Sequence, residues 1–230
     1  MGKQRLSANP LVEATARKIG LENIENTALM AGGHAHDYIG NMTWNQALSL
    51  NLSLGGQTLN LRQFADFLIL LKSGKARDGK GKEIHGKELL GIYDEITSVR
   101  GHFRSERLDA RFEKKDGFLK INYNHSLNGG NLKPGREENL KDFLRKDKSP
   151  GINIDDWISS ATYQGLPSLQ TKEGNLFYWH PRDGMVAWFL AVSVRAYLDC
   201  YGGPASSDPV LGVREAYEVG RTARNLEGKR

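Results

Sequence analysis

The chain has 230 residues, 39% of them hydrophobic and 26% charged, with a mean hydropathy of −0.53 and a net charge of +5, values that exclude a disordered chain and leave room for one substantial core. The lone Cys200 excludes an intramolecular disulfide and a cysteine-based zinc cluster. No apolar run approaches the roughly 20 residues that cross a bilayer, so a soluble chain without membrane insertion is expected.

Twenty-six glycines against 7 prolines favour a loop-rich α+β fold over a helical bundle. The N-terminus lacks the apolar run of a signal peptide, which leaves cytoplasmic and virion-associated locations open. Residues 1–40 mix polar segments with Gly32 and Gly33, with a short helix over 12–19. Thr43 followed three residues later by Gln46 is a capping-box signature, and a brief helix carrying Ala47 and Leu48 begins there. Leu50, Leu52 and Leu54 alternate with polar residues and read as an extended segment. Asn60 caps the clearest helix, 61–72, whose Leu61, Phe64, Ala65, Leu68 and Leu71 recur at three-and-four spacing and demand burial.

A second helix over 83–99 places Leu89, Ile92, Tyr93 and Ile96 on one face. Phe118, Ile121 and Tyr123 mark a strand, and a third helix is expected over 136–145. Pro150 and Gly151 stop it, and Asp155 or Asp156 caps a fourth, short helix carrying Trp157, Ile158 and Ala161. From residue 176 the chain reads as strand-rich and ends in a charged tail. Tyr178 and Trp179 are expected under the following strand, with Arg182, Asp183 and Gly184 forming the hairpin that leads into Val186.

Much of the positive charge gathers in Lys72, Lys75, Arg77, Lys80, Lys82 and Lys87, opposed locally by Asp78 and Glu83. Such a loop could neutralise phosphates, but no aromatic interleaves its lysines, and a solvated loop is the simpler reading. His34, His36 and Asp37 form the one metal-like cluster, which needs further ligands from distant segments; His85, His102, His125 and His180 are available, and a polar loop is simpler. Glu106, Asp109, Asp155 and Asp156 have no partner geometry in the sequence and read as caps or surface charges. Phosphate-loop, dinucleotide and nucleophile-elbow motifs are absent, and Cys200 reads as a buried, inert thiol.

The run 186–198 carries the strongest signal. Trp188, Leu190, Val192 and Val194 fall on one side of an extended chain, and Phe189, Ala191, Ser193 and Arg195 on the other. Both sides look like core, so one is either a second buried face or a contact surface. Beyond it, Tyr201, Gly202, Gly203, Ser206, Ser207 and Asp208 have the composition of a binding loop.

The run GMVAWFLAVSVRAYLDCYGGP at 184–204 and LGVR at 211–214 resemble the variable region of proteins diversified by retroelements, specifically the archaeal group. Met42, Trp44, Ala47, Phe64, Ala65, Leu68 and the Gly165, Leu166, Pro167 triplet fit the same pattern. That family resembles the formylglycine-generating-enzyme branch of the C-type lectin fold, so the resemblance implies an α+β C-type lectin domain over 41–218. It also implies an N-terminal extension over 1–40 and a flexible tail over 219–230.

In such proteins a reverse transcriptase copies a template repeat with errors at adenines, and the changed codons fall on solvent-facing positions of a rigid scaffold. The resemblance implies a fixed set of Val186, Ala187, Phe189, Ala191, Ser193, Ala196, Leu198, Cys200, Pro204 and 211–214. The diversified, ligand-contacting set would be Trp188, Leu190, Val192, Val194, Tyr197, Asp199, Tyr201, Gly202, Gly203, Ser206, Ser207 and Asp208. Most of these are reachable from an asparagine codon through adenine changes alone. The branch also includes an oxidase, whose paired-cysteine copper chemistry one cysteine cannot support.

The expectation is a non-enzymatic recognition protein that binds a protein or cell-surface ligand, with no cofactor, resident metal or catalytic residue. Two readings of another class stay open: a metal-dependent hydrolase using His34, His36 and Asp37, and an electrostatic nucleic-acid binder using the 72–87 segment.

Overall fold

The computed structural model describes residues 27–29, 37–39, 42–76, 83–99, 104–192, 194–207, 211–212 and 215–216. Four helices lie among them: α1 (Trp44–Ser53), α2 (Leu61–Ser73), α3 (Lys87–Thr97) and α4 (Ile154–Ser160). Thr43 caps α1 and Asn60 caps α2, each in a reciprocal capping box with the glutamine three residues on. α2 buries Leu61, Phe64, Ala65, Leu68 and Leu71 along one stripe and ends at Gly74, whose φ of 74° is open to glycine at little cost.

The strands are β1 (Thr27–Leu29), β2 (Asp37–Ile39), β3 (Gln57–Thr58), β4 (Arg104–Lys115), β5 (Phe118–Tyr123), β6 (Ser126–Asn128) and β7 (Asn131–Lys133). They continue with β8 (Arg136–Asn139), β9 (Lys148–Ile152), β10 (Leu176–Trp179), β11 (Val186–Val192), β12 (Arg195–Gly202), β13 (Leu211–Gly212) and β14 (Glu215–Ala216). The main sheet runs β8-β5-β4-β11-β12-β10-β9, with β13 added to β4. β10 lies parallel to β12 and β13 parallel to β4, while β11 is antiparallel to both its neighbours. The fold is α+β, built on a large mixed sheet.

One sheet face meets α2, α3 and α4. Phe189 from β11 sits between Phe64 of α2, at 5.2 Å between ring centroids, and Trp157 of α4, nearly parallel at 6.2 Å. Ala191, Ala196, Leu198, Cys200, Leu176 and Tyr178 join the same core. On the opposite face Trp44 and Leu48 of α1 pack against Val186, and the Trp44 indole donates to the Leu108 carbonyl at 2.8 Å.

The structure corrects several expectations. Leu50 and Leu52 belong to α1, because burial of Trp44, Ala47, Leu48 and Asn51 keeps a helical spacing that polar Asn51 disguises. Asn51 earns its buried place by donating to Thr58 Oγ1 at 2.9 Å. No helix forms over 136–145: β8 pairs with the edge of β5, and Asp142 takes a φ of 54°, which a right-handed helix cannot contain. α3 starts at Lys87 rather than near 83. α4 is capped by Asn153, whose side chain accepts from Asp156 N, and Asp155 and Asp156 occupy its first turn. The expected helix over 12–19 lies outside the described residues, among which no helix is long and apolar enough to cross a membrane.

Candidate recognition surface

β11 and β12 form a hairpin that reverses between Val192 and Arg195, pairing Val192 with Arg195, Leu190 with Tyr197, and Trp188 with Asp199. Directly opposed residues share a sheet face. These six side chains therefore line one face, while the Ala191–Ala196 and Phe189–Leu198 pairs line the other. The second set is buried and the first is half-buried, with Val194 at the turn 69% exposed and Tyr201 44% exposed. The reversal also corrects the place of Arg195. A single extended strand would set it beside Phe189 and Ala191; the turn brings it onto the face of Val192 and Tyr197.

β10 enlarges this outer face. Its parallel register sets Phe177 beside Tyr197 and Trp179 beside Asp199, while Leu176 and Tyr178 turn inward. Trp179 thus lies on the outer face rather than under the next strand. The expected hairpin into Val186 is absent, because β12 lies between β10 and β11. Sequence reasoning missed Phe177 and Trp179 as surface candidates, although the alternation along 176–179 carries the same signal that exposes Leu190 and Tyr197.

Guanidinium groups lie over two rings of this face. The Arg195 guanidinium stacks 4.2 Å from the Phe177 centroid, and the Phe177 and Tyr197 rings are 5.4 Å apart. Arg182 lies 4.0 Å from the Tyr201 centroid and donates to Asp147 Oδ2 at 2.7 Å. Asp147 also accepts from the His180 backbone N–H at 2.9 Å and meets His180 Nδ1 at 2.6 Å. Burial alone would raise the Asp147 carboxyl, but His180 and Arg182 outweigh it and hold it below the usual range.

Trp188 is anchored rather than free. Arg107, fully buried on β4, lies 5.6 Å from its ring, and Gly202 leaves the space the indole occupies: a Cβ there would fall 2.4 Å from the ring. Any side chain at 202 must move Trp188, so the contribution of buried Gly202 to the surface is room. Arg107 Nη2 donates to the Ser206 carbonyl at 2.6 Å and to the Met42 carbonyl, joining β4 to the loop after β12 and to the entry of α1. Trp44 N donates to the Pro204 carbonyl at 3.0 Å, holding that loop from a second point. Ser206 and Ser207 are exposed, Gly203 is half-buried, and Asp208 lies outside the described residues.

The other candidates separate. Glu106 and Asp109, read as caps or surface charges, are buried on β4. Asp109 accepts from the His125 N–H at 2.9 Å and meets His125 Nδ1 at 2.5 Å, with the Trp44 ring edge-on to the imidazole. At 5% and 6% side-chain exposure this pair is shut from solvent and serves to bind the 124–125 turn to β4. Burial pushes the Cys200 thiol well above its ordinary pKa, which suppresses the thiolate. His34 and His36 lie outside the described residues, as does 77–82 of the basic segment; Lys72 pairs with Asp155 at 2.5 Å. Among the described residues no group of three or more His, Cys, Asp or Glu side chains is placed to hold a metal ion.

No protein-family model, curated protein or solved structure matches the chain.

Proposed function

We propose that the chain is a non-enzymatic recognition protein that presents a hypervariable surface, diversified by a retroelement, on a C-type lectin scaffold. The observation that carries this reading is the separation of roles along β11 and β12. Ala187, Phe189, Ala191, Ala196, Leu198 and Cys200 are buried, while Leu190, Val192, Tyr197, Asp199 and Tyr201 reach solvent between them.

Variation on the outer side changes contact chemistry at a cost of about 0.5 kcal/mol per surface position, whereas truncation on the inner side costs about 2 to 5. A scaffold so divided can take many surfaces without losing its fold. The aromatic content of the outer face also supports the reading, since Tyr and Trp cover much contact area with few rotors to freeze and dominate binding energy at interfaces. Val194 and Tyr201 stand exposed among the half-buried apolar residues of this face, and apolar surface left in water supports a contact role. The ligand on this reading is a protein or another cell-surface molecule.

Sequencing the genomic locus tests it. The expected result is a reverse-transcriptase gene beside a near-copy of the codons for 184–214, differing at adenines in codons of outer-face residues. A locus without such a repeat, or one whose differences fall on the codons of Phe189, Ala191, Leu198 and Cys200, contradicts the proposal.

A further inference from the structure

The centre of the outer face is a carboxylate surrounded by aromatic residues. Asp199 is opposed across β11 by Trp188 and across β10 by Trp179. Tyr197 and Tyr201, two positions either way along β12, complete a cross on the same face. Directly opposed side chains in a sheet have Cβ atoms about 4.5 to 5.5 Å apart, so the two tryptophans are immediate neighbours of the carboxylate.

Among the described residues no cation lies within salt-bridge distance of Asp199; its hydrogen bond is from the Tyr201 N–H to Oδ1, at 2.7 Å. Arg182 draws the Asp199 carboxyl downward, but its guanidinium is held by Asp147 and stacked on Tyr201. Burial dominates and raises the Asp199 carboxyl, with Asp147 adding to the rise and the Tyr201 N–H opposing it.

We infer that this face recognises a protein partner through a lysine side chain whose ammonium docks on Asp199 between Trp179 and Trp188. An ammonium fits because one oxygen of Asp199 is already taken by the Tyr201 N–H. A guanidinium gains most from two parallel bonds to both oxygens, while an ammonium is a point charge that uses one. Trp179 flanks the same cation and can add a cation–π attraction, while Trp188, held by Arg107 and Gly202, walls the other side. The docked charge offsets the desolvation that disfavours the ionised carboxylate in the free protein. The inference rests on the recognition reading of the outer face and specifies the chemistry of the present surface.

The test uses the full chain and two small probes, N-acetyl-lysine methylamide and its uncharged isostere N-acetyl-norleucine methylamide, with tryptophan fluorescence as the readout. The expected result is a saturable change with the lysine probe at an affinity at least fivefold tighter than for the norleucine probe. Asp199→Asn should remove that preference, and the wild-type preference should fade as pH drops through the raised pKa of Asp199. Equal affinity for both probes, or an unchanged preference in Asp199→Asn, overturns the inference. Should Asp199→Asn lose its near-UV circular dichroism, Trp179→Leu takes its place: it keeps the β10 backbone pairing and should weaken the lysine probe at least threefold, and no weakening overturns the inference. A partner protein that binds this face as well with Asn as with Asp at 199 would sink the lysine inference and leave the recognition reading intact.

Discussion

Phe189→Ala should lower the stability of the protein by about 3 to 5 kcal/mol, while Leu190→Ala, one residue further along the same strand, should cost about 1 kcal/mol or less. Phe189 is 1% exposed and contacts the rings of Phe64 and Trp157 from two different helices. Its loss opens a cavity walled by α2, α4 and the sheet, none of which can close the gap without breaking packing elsewhere. Leu190 sits opposite Tyr197 on the half-buried face, where removed atoms are replaced largely by water. Chemical denaturation of the two variants checks the pair. A difference of less than about 1 kcal/mol between them would mean that the two sides of β11 are not energetically distinct.

Arg107→Leu carries the second large effect, an expected loss of about 3 kcal/mol. The substitution keeps most of the buried volume but removes the donor to the carbonyls of Met42 and Ser206, leaving the buried Met42 carbonyl without that bond and freeing the Ser206 carbonyl from β4. It also removes the cation beside the Trp188 ring. The consequence is local as well as global. The 203–207 loop should exchange its amide hydrogens faster than in the wild type, and Trp188 should change its emission. Arg107→Lys should recover only part of the stability, because an ammonium on a flexible stem is held less firmly than the planar guanidinium whose Nη2 reaches both carbonyls. Wild-type exchange rates in 203–207 for Arg107→Leu would remove Arg107 from its role as the tether of that loop.

Local signals in the sequence translated well into local structure. The Thr43–Gln46 capping box and the Asn60 cap start α1 and α2 at the residues they predict, and the apolar stripe of α2 is the stripe that is buried. Failures came where partners distant in sequence decided the outcome. β4 reads as charged, yet its Leu108, Ala110 and Phe112 face the core, and interleaved Arg107 and Asp109 are buried because Met42, Ser206 and His125 satisfy them. Sequence alone has no means to supply those partners.

The 136–145 segment departs from the expected helix for a similar reason. Its polar residues complete the edge of β5 instead of forming the outer face of a helix. For the surface, alternation along 186–202 is legible from residue type, but the reversal between Val192 and Arg195 and the parallel insertion that brings in Phe177 and Trp179 are properties of topology.

The claim beneath the functional proposal is that the β11–β12 ribbon divides scaffold from contact by side-chain parity. Substituting every position from 186 to 202 with each amino acid, and scoring folding by protease resistance, measures this directly. Broad tolerance is expected at 190, 192, 197, 199 and 201, intolerance at 187, 189, 191, 196, 198 and 200, and a steric limit at 202 that Trp188→Ala relaxes. Tolerance that ignores this alternation, or sensitivity at Leu190, Val192, Tyr197 and Tyr201 equal to that at Phe189 and Leu198, would contradict it.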